Sequence, residues 1–367
     1  MRRNTRRIIQ NGNVVHAALL SLLALLAVLA LQGCSANTAQ PPPAPAATTE
    51  TQTEAFPSFG DWQQTSASET KPETPITLGF SQLGKESAWR VANTASVQEA
   101  AAESGIRLVM KNAEQSQKKQ FEAIRSFIAM KVDVIAIAPV VESGWEEILR
   151  EVKAAGIPVV ILDRSVNVKD TSLFVTTIGS NFYEEGVKAG KYLLDRLRHL
   201  PGPIRIAELQ GTSGSAPSIQ RGEGFRSVVS ARADMTITQS APADFTEDKG
   251  RAIMRGFLQA PADQLPHVLF AHNDDMALGA IDAIEEAGLK PGEDILVLSV
   301  DGSRRALEQL AAGKLNAVVE CNPLIGPQLM QAAKEIMAGR TLPKRMVPPE
   351  DIFTQERAAE AVSGRKF

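Results

Sequence analysis

The chain has 367 residues, of which 44% are hydrophobic and 22% charged, and a formal net charge of −3. That apolar share is ordinary for a globular protein and excludes global disorder, and the length allows two domains of usual size. The weakly acidic balance offers no basic footprint for nucleic acid.

Residues 1–33 stand apart from the rest. Arg2, Arg3, Arg6 and Arg7 make a basic start, and Ala17 to Leu31 is apolar without a charge. A basic region, a short apolar run and a small residue before the cut form an export signal. The run is shorter than the ~20 residues a membrane-spanning helix needs. Removing residues 1–33 takes away four arginines and no acid, so the net charge moves from −3 to −7. Residues 34–75 are rich in Pro, Ala, Thr, Ser, Gln and Glu ("AQPPPAPAATTETQTEAFPS"). Such a segment cannot bury enough apolar area to order itself and is expected to be a disordered tether. Trp62 lies in it and is expected to pack loosely on the domain. Cys34 and Cys321 are the two cysteines, too few for a disulfide framework.

From Ile76 a βα rhythm begins. "ITLGF" predicts a strand, Ala88 to Ser104 a helix ending near Gly105, and "IRLVMKN" a second strand. Phe121, Ile124 and Ile128 mark a helix face before the strand "VDVIAIAP". Trp145, Ile148, Leu149 and Val152 form the next helical stripe, with Trp145 in the core, and "IPVVILD" follows Gly156. The rhythm restarts with "IRIAELQG", "MTITQSA", "HVLFAHN", "ILVLSVDG" and "NAVVEC", with a helix from Ala277 to Ala287 before Gly288. The apolar runs are continuous rather than alternating, as parallel strands covered on both faces require. The pattern predicts an α/β fold with two doubly wound parallel sheets. Ligands of such sheets bind beyond the carboxyl ends of the strands.

Those ends carry a common chemistry. "VVILDRSV" finishes an apolar strand on Asp163 and Arg164. Asn273-Asp274-Asp275, Asp301-Gly302 and Glu320 finish later strands, and Glu86, Trp89 and Arg90 follow the first one. Arg221 and Phe245 lie between strands of the second half. Carboxylates and amide oxygens accept from hydroxyls, guanidiniums donate to them, and aromatic planes cover C–H faces, so this inventory suits a sugar. Other readings exist for each. Asp163-Arg164 could be a surface ion pair, Asp301-Gly302 a turn, and Arg221 a partner of Glu223. Asn273 is expected to face the ligand while one following aspartate caps the helix. "GEGFRS" does not join strand to helix as a dinucleotide fingerprint must, and "GTSGS" lacks the frame of a nucleophile elbow. The four histidines are scattered without zinc spacing, and His272 is expected to be a packed, hydrogen-bonded residue.

The segments "GFSQLGKESAWR", "IAPVVESGWEEIL", "VVILDRSV", "AELQGTSGSAPSIQRGEGF", "FAHNDDMALGAIDAIEEAGLKPGEDI" and "SVDG" resemble the sugar-binding proteins of ABC importers. The likeness is to the ribose/galactose type, and most of all to its galactofuranose-binding members. The resemblance implies a type I periplasmic binding protein: two lobes joined by a hinge of three crossings, 76–178 plus 321–350 and 179–320 plus 351–367. It implies sugar contacts from Glu86, Ser87, Trp89, Arg90, Asp163, Arg164, Arg221, Asn273 and Asp301, with Phe245 and Glu320 at further contact positions. Ala88 stands where galactofuranose binders carry Gly. The residues before Cys34 resemble the lipobox of bacterial lipoproteins, which implies lipid on Cys34. The expected protein is therefore not an enzyme and has no cofactor and no metal. It is exported, held at the membrane surface through lipid in the periplasm or at the cell surface, and monomeric. It captures a monosaccharide of the galactofuranose/galactose type and delivers it to the membrane subunits of an ABC permease. A sensory sugar-binding co-receptor and a sugar hydrolase are the alternatives.

Overall fold

The computed structural model describes residues 75–367. The signal, Cys34, the tether and Trp62 lie outside the described residues. The first sheet contains β1 (Thr77–Gln82), β2 (Arg107–Asn112), β3 (Val134–Ile137), β4 (Val159–Leu162) and β5 (Thr176–Ile178). The second contains β6 (Ile204–Gln210), β7 (Met235–Pro242), β8 (Val268–Ala271), β9 (Leu296–Asp301) and β10 (Ala317–Glu320). Two short strands complete them: β11 (Arg345–Met346) joins the first sheet and β12 (Ile352–Thr354) the second. The orders are β11-β5-β4-β3-β1-β2 and β12-β10-β9-β8-β6-β7. Every pairing is parallel except that of β10 with β12. Each sheet thus defines a lobe, and the two lobes repeat one topology. The switch point lies between β1 and β3 in the first lobe and between β6 and β8 in the second, which is where such sheets open toward a ligand.

The helices are α1 (Ala88–Ser104), α2 (Gln117–Met130), α3 (Glu146–Ala154), α4 (Phe182–Arg196), α5 (Ala216–Val229), α6 (Glu247–Phe257), α7 (Asp274–Glu286), α8 (Arg304–Ala311), α9 (Gly326–Met337) and α10 (Ala358–Gly364). Their packing explains why the strands are apolar on both faces. Val134, Ala136, Val160 and Leu162 lie in one cluster with Val97 of α1 and Leu329 of α9. Ile135, Ile137, Val159 and Ile161 join Ile124, Phe127, Ile148 and Leu149 in another. Successive residues of a strand point to opposite faces, so each sheet fills two cores. Trp145 is fully buried just ahead of α3, donates Nε1–H to the Val141 carbonyl at 2.7 Å, and meets Phe121 edge-on.

The chain passes from one sheet to the other three times, after β5, after β10 and after β11. One carboxylate touches all three passages. Glu350 accepts from the Ser180 hydroxyl and from the Asn322 amide. Burial and the neighbouring Glu185 push its carboxyl up to about 8. Cys321 is buried beside it, with its Sγ 3.3 Å from the Ser180 hydroxyl.

Candidate functional site

A cleft lies between the carboxyl ends of the two sheets. From the first lobe, Ser87 caps α1: its backbone is extended and its hydroxyl accepts from the Arg90 amide. The cap fixes where the helix starts, and so places Trp89 and Arg90 in its first turn at the cleft wall. Asp163 follows β4 with φ +63°, a left-handed conformation rare for a non-glycine residue, and Arg164 comes next.

The second lobe contributes from five places along the chain. Phe182 opens α4 and Arg221 lies on α5; these helices cross so closely that a Cβ on Gly224 would stand 2.0 Å from the Tyr183 carbonyl oxygen. Phe245 has φ +62° and its ring lies over Gly211, where a Cβ would come within 1.8 Å of it. Asn273 caps α7 by accepting from the Met276 amide, and its amide nitrogen donates to the Phe245 carbonyl. Asp301, at the end of β9, has φ +128°. Three cleft residues therefore sit in backbone conformations that carry strain, a feature that gathers at functional sites.

A charge network runs through the first-lobe wall. Arg90 donates Nη2–H to Asp163 at 2.6 Å and Nε–H to Glu86 at 3.4 Å. Arg164 donates to the Val140 carbonyl and stands 3.5 Å from Glu86. All of these side chains are almost fully buried. Burial would lower the Arg90 pKa, but Asp163 and Glu86 outweigh it and hold the group above its ordinary value. Arg164 is less well compensated: burial, with Arg90 nearby, brings it down to about 10. Glu86 Oε2, Arg90 Nη1 and Arg164 Nε are buried and have no hydrogen-bond partner among the described residues. In the second lobe, Arg221 is held by Glu185 at 2.6 Å and by the His272 carbonyl. Burial, reinforced by Asp274, pushes the Asp301 carboxyl well above the usual range, against the opposing pull of Arg221. The Arg164 guanidinium lies 5.1 Å from the Phe245 ring centre and Arg221 5.2 Å from that of Phe182.

Of the residues expected from the sequence, Glu86, Ser87, Trp89, Arg90, Asp163, Arg164, Arg221, Phe245, Asn273 and Asp301 come together on this cleft. Glu320 does not. It stands outside the lining, paired at 2.5 Å with Arg365 near the C-terminus and accepting from the Asp351 amide. Asp163 and Arg164 are not chiefly partners of each other, since 4.0 Å separates them; each pairs with a residue of the α1 segment. Arg221 pairs with Glu185 and not with Glu223. The cap of α7 falls to Asn273 rather than to an aspartate, which leaves Asp274 to tie down the end of β9 through Ser299, Gly302 and Ser303. His272 is fully buried and hydrogen-bonded to Glu208. Phe182, Pro217 and Cys321 also line the cleft and were not anticipated. The one usable signal for Phe182 was the Ser180-Asn181 pair, a helix-cap pattern after "TTIG".

Glu185, Cys321 and Glu350 bring three potential metal-ligating atoms within 4.8 Å of one another. The donor set fits a metal poorly. Glu185 is engaged by Arg221, Glu350 by Ser180 and Asn322, and burial pushes the Cys321 thiol well up.

Residues 78–341 match the periplasmic binding protein domain. This stretch runs from within β1 past α9 and contains every residue of the cleft wall. The chain belongs to the periplasmic binding proteins. This periplasmic binding protein is 39% identical over 294 residues to the galactofuranose-binding protein YtfQ of Escherichia coli, an alignment covering 80% of this chain and 92% of that one. A Mycobacterium smegmatis protein solved in complex with β-D-fucofuranose is 46% identical, with a TM-score of 0.77 over 79% of this chain and 94% of that one. The binding component of an arabinose ABC transporter from a Shewanella species, solved with α- and β-L-arabinofuranose, is 45% identical. Its TM-score is 0.76, covering 79% of this chain and 96% of that one.

Proposed function

We propose that this periplasmic binding protein captures a neutral monosaccharide in its furanose form and delivers it to the permease of an ABC importer. The observation that carries the reading is the set of unpartnered buried atoms on Glu86, Arg90 and Arg164. A buried polar atom without a partner costs about 1–3 kcal/mol. A sugar hydroxyl both donates and accepts, so neighbouring hydroxyls satisfy a carboxylate oxygen and two guanidinium N–H groups together. The charges argue for a neutral ligand. Arg90 and Arg164 are matched by Asp163 and Glu86, and Arg221 by Glu185. The Asp301 carboxyl adds a further polar group at the cleft, and Trp89, Phe182 and Phe245 offer planes for C–H faces. The furanose sugars named for the three relatives support the ring form.

The lobes are taken as 76–178 with 321–350 and 179–320 with 351–367, in line with the sheet membership of β11 and β12. Ligand touching both walls favours the closed arrangement and shifts the population toward it. The segment ending in Gly33-Cys34 supports export and lipid on Cys34, with the protein acting as a tethered monomer.

Titration calorimetry with D-galactose, L-arabinose, D-fucose, D-ribose, D-glucose and D-fructose tests the reading. Binding by the first three, with isotope-labelled D-galactose held as a furanose in the NMR spectrum of the complex, is the expected result. Absence of binding by every sugar at millimolar concentration would remove the sugar reading, and a bound pyranose would remove the ring form.

A further inference from the structure

The two aspartates after Asn273 have different surroundings although they are adjacent. Asp274 accepts four hydrogen bonds, all from Ser299, Gly302 and Ser303 of its own lobe. Asp275 has one hydrogen bond among the described residues, and it crosses between the lobes. Its Oδ2 accepts from the backbone amide of Ala88 at 3.1 Å. Asp275 is only 9% exposed and has no salt bridge among the described residues; the nearby Arg305 is engaged by Glu247. Burial pushes its carboxyl up to about 6, the sign of a carboxylate its own lobe compensates poorly.

The donor is equally specific. Ala88 is the first residue of α1, where the amide has no partner within a helix. The bond therefore satisfies an orphan donor on one lobe with an otherwise unbonded carboxylate on the other. It also grips the helix turn that carries Ser87, Trp89 and Arg90. Neither Ala88 nor Asp275 lines the cleft.

We infer that Asp275 is a positioning residue: it latches the start of α1 to the second lobe when the cleft closes, and so sets how long the sugar is retained without touching it. The inference rests on the binding reading above. A second contact between the lobes, in which the Glu142 amide donates to the Gly214 carbonyl and Gln220 donates to Glu142 and Ser165, provides a comparison.

The latch can be cut from either side. Asp275→Ala removes the acceptor. Ala88→Pro removes the donor at a position where proline suits a helix, and the preceding Ser87 already has the extended backbone (φ −140°, ψ 160°) that proline demands. Stopped-flow dissociation of D-galactose is expected to quicken about ten- to a hundredfold in each variant, the loss of one charge-assisted hydrogen bond. The double variant should be no faster than the faster single, and Asp275→Asn, which keeps an acceptor oxygen, should be milder. Urea unfolding of the ligand-free variants should stay near that of the parent. Unchanged dissociation in both singles, or effects that multiply in the double, would overturn the latch; so would acceleration by Gln220→Ala alone. Solution scattering of the ligand-free chain provides a readout without sugar. The two variants should move it toward the open form, and no movement overturns the proposal when D-galactose fails to bind. Movement with no sugar bound by the parent would leave the latch standing and break the sugar reading.

Discussion

The two walls of the cleft are built on the same topology but hold their polar groups differently. The first-lobe wall is under-bonded: Glu86, Arg90 and Arg164 each keep a buried atom without a partner among the described residues. The second-lobe wall is more nearly self-satisfied, the Asp301 carboxyl apart, which among the described residues has only Arg221 at 3.9 Å. Asn273 spends its oxygen on the Met276 amide and a donor on Phe245, and Arg221 is clamped between Glu185 and the His272 carbonyl. A wall that lacks partners gains most from a ligand, while a wall already bonded supplies shape and aromatic cover. Affinity should therefore be concentrated in the first lobe, and fold stability in the second.

The largest test of that contrast is Arg90→Ala. It leaves Asp163 and Glu86 buried without their main cation, a change of the kind that costs about 3–5 kcal/mol. Calorimetry should show sugar affinity falling at least a hundredfold, while the ligand-free urea midpoint moves less, because water reaches the carboxylates whenever the cleft opens. An equal loss of stability would show that the network holds the lobe together. Asn273→Ala should show the reverse balance. The lost cap should lower unfolding stability by about 0.5–2 kcal/mol, visible in urea, whether or not sugar is present.

A pH series addresses Asp301. Its folded pKa lies above that of the unfolded chain, so the folded state holds the proton more tightly. Its contribution to stability is then fully present below the ordinary carboxylate value and declines as pH rises toward the folded one. Asp301→Asn should remove that decline from the urea midpoint; a profile identical to the parent's would mean the carboxyl is ionised. Phe245→Leu removes the ring beside Arg164 and should weaken binding by about 0.5–1 kcal/mol, measured by calorimetry. The smallest effect belongs to Glu320→Gln. Binding should not change, and the pair with Arg365 should cost up to about 1 kcal/mol of stability; a marked loss of affinity would place Glu320 back among the ligand contacts.

Legibility in the sequence followed length and polarity. Strands β3, β4, β8 and β9 are apolar runs and could be read directly, and α1 was bounded correctly at Ala88 and Ser104, with Gly105 marking its end; the Ser87 cap appears only in the structure. The two- and three-residue strands β5, β11 and β12 leave no periodic trace, although they lie where the chain changes lobe. The cleft was legible wherever charge interrupts an apolar run, as at Asp163 and Asp301. Phe182 was hidden because its strand is too short to announce an end. Cys321 was hidden because a lone cysteine in a strand end looks like core. Partnerships were not legible at all: Arg221 and Glu185 are thirty-six positions apart and meet only because two glycine-bearing helices cross tightly.

The position of Cys321 has a practical consequence. Its thiol is 1% exposed on the closed cleft wall, and the only other cysteine of the chain is Cys34. Alkylating reagents are expected to reach it when the lobes part. Alkylation of Cys321 is therefore expected to slow when sugar is bound; a rate unchanged by sugar would show that opening does not uncover the thiol.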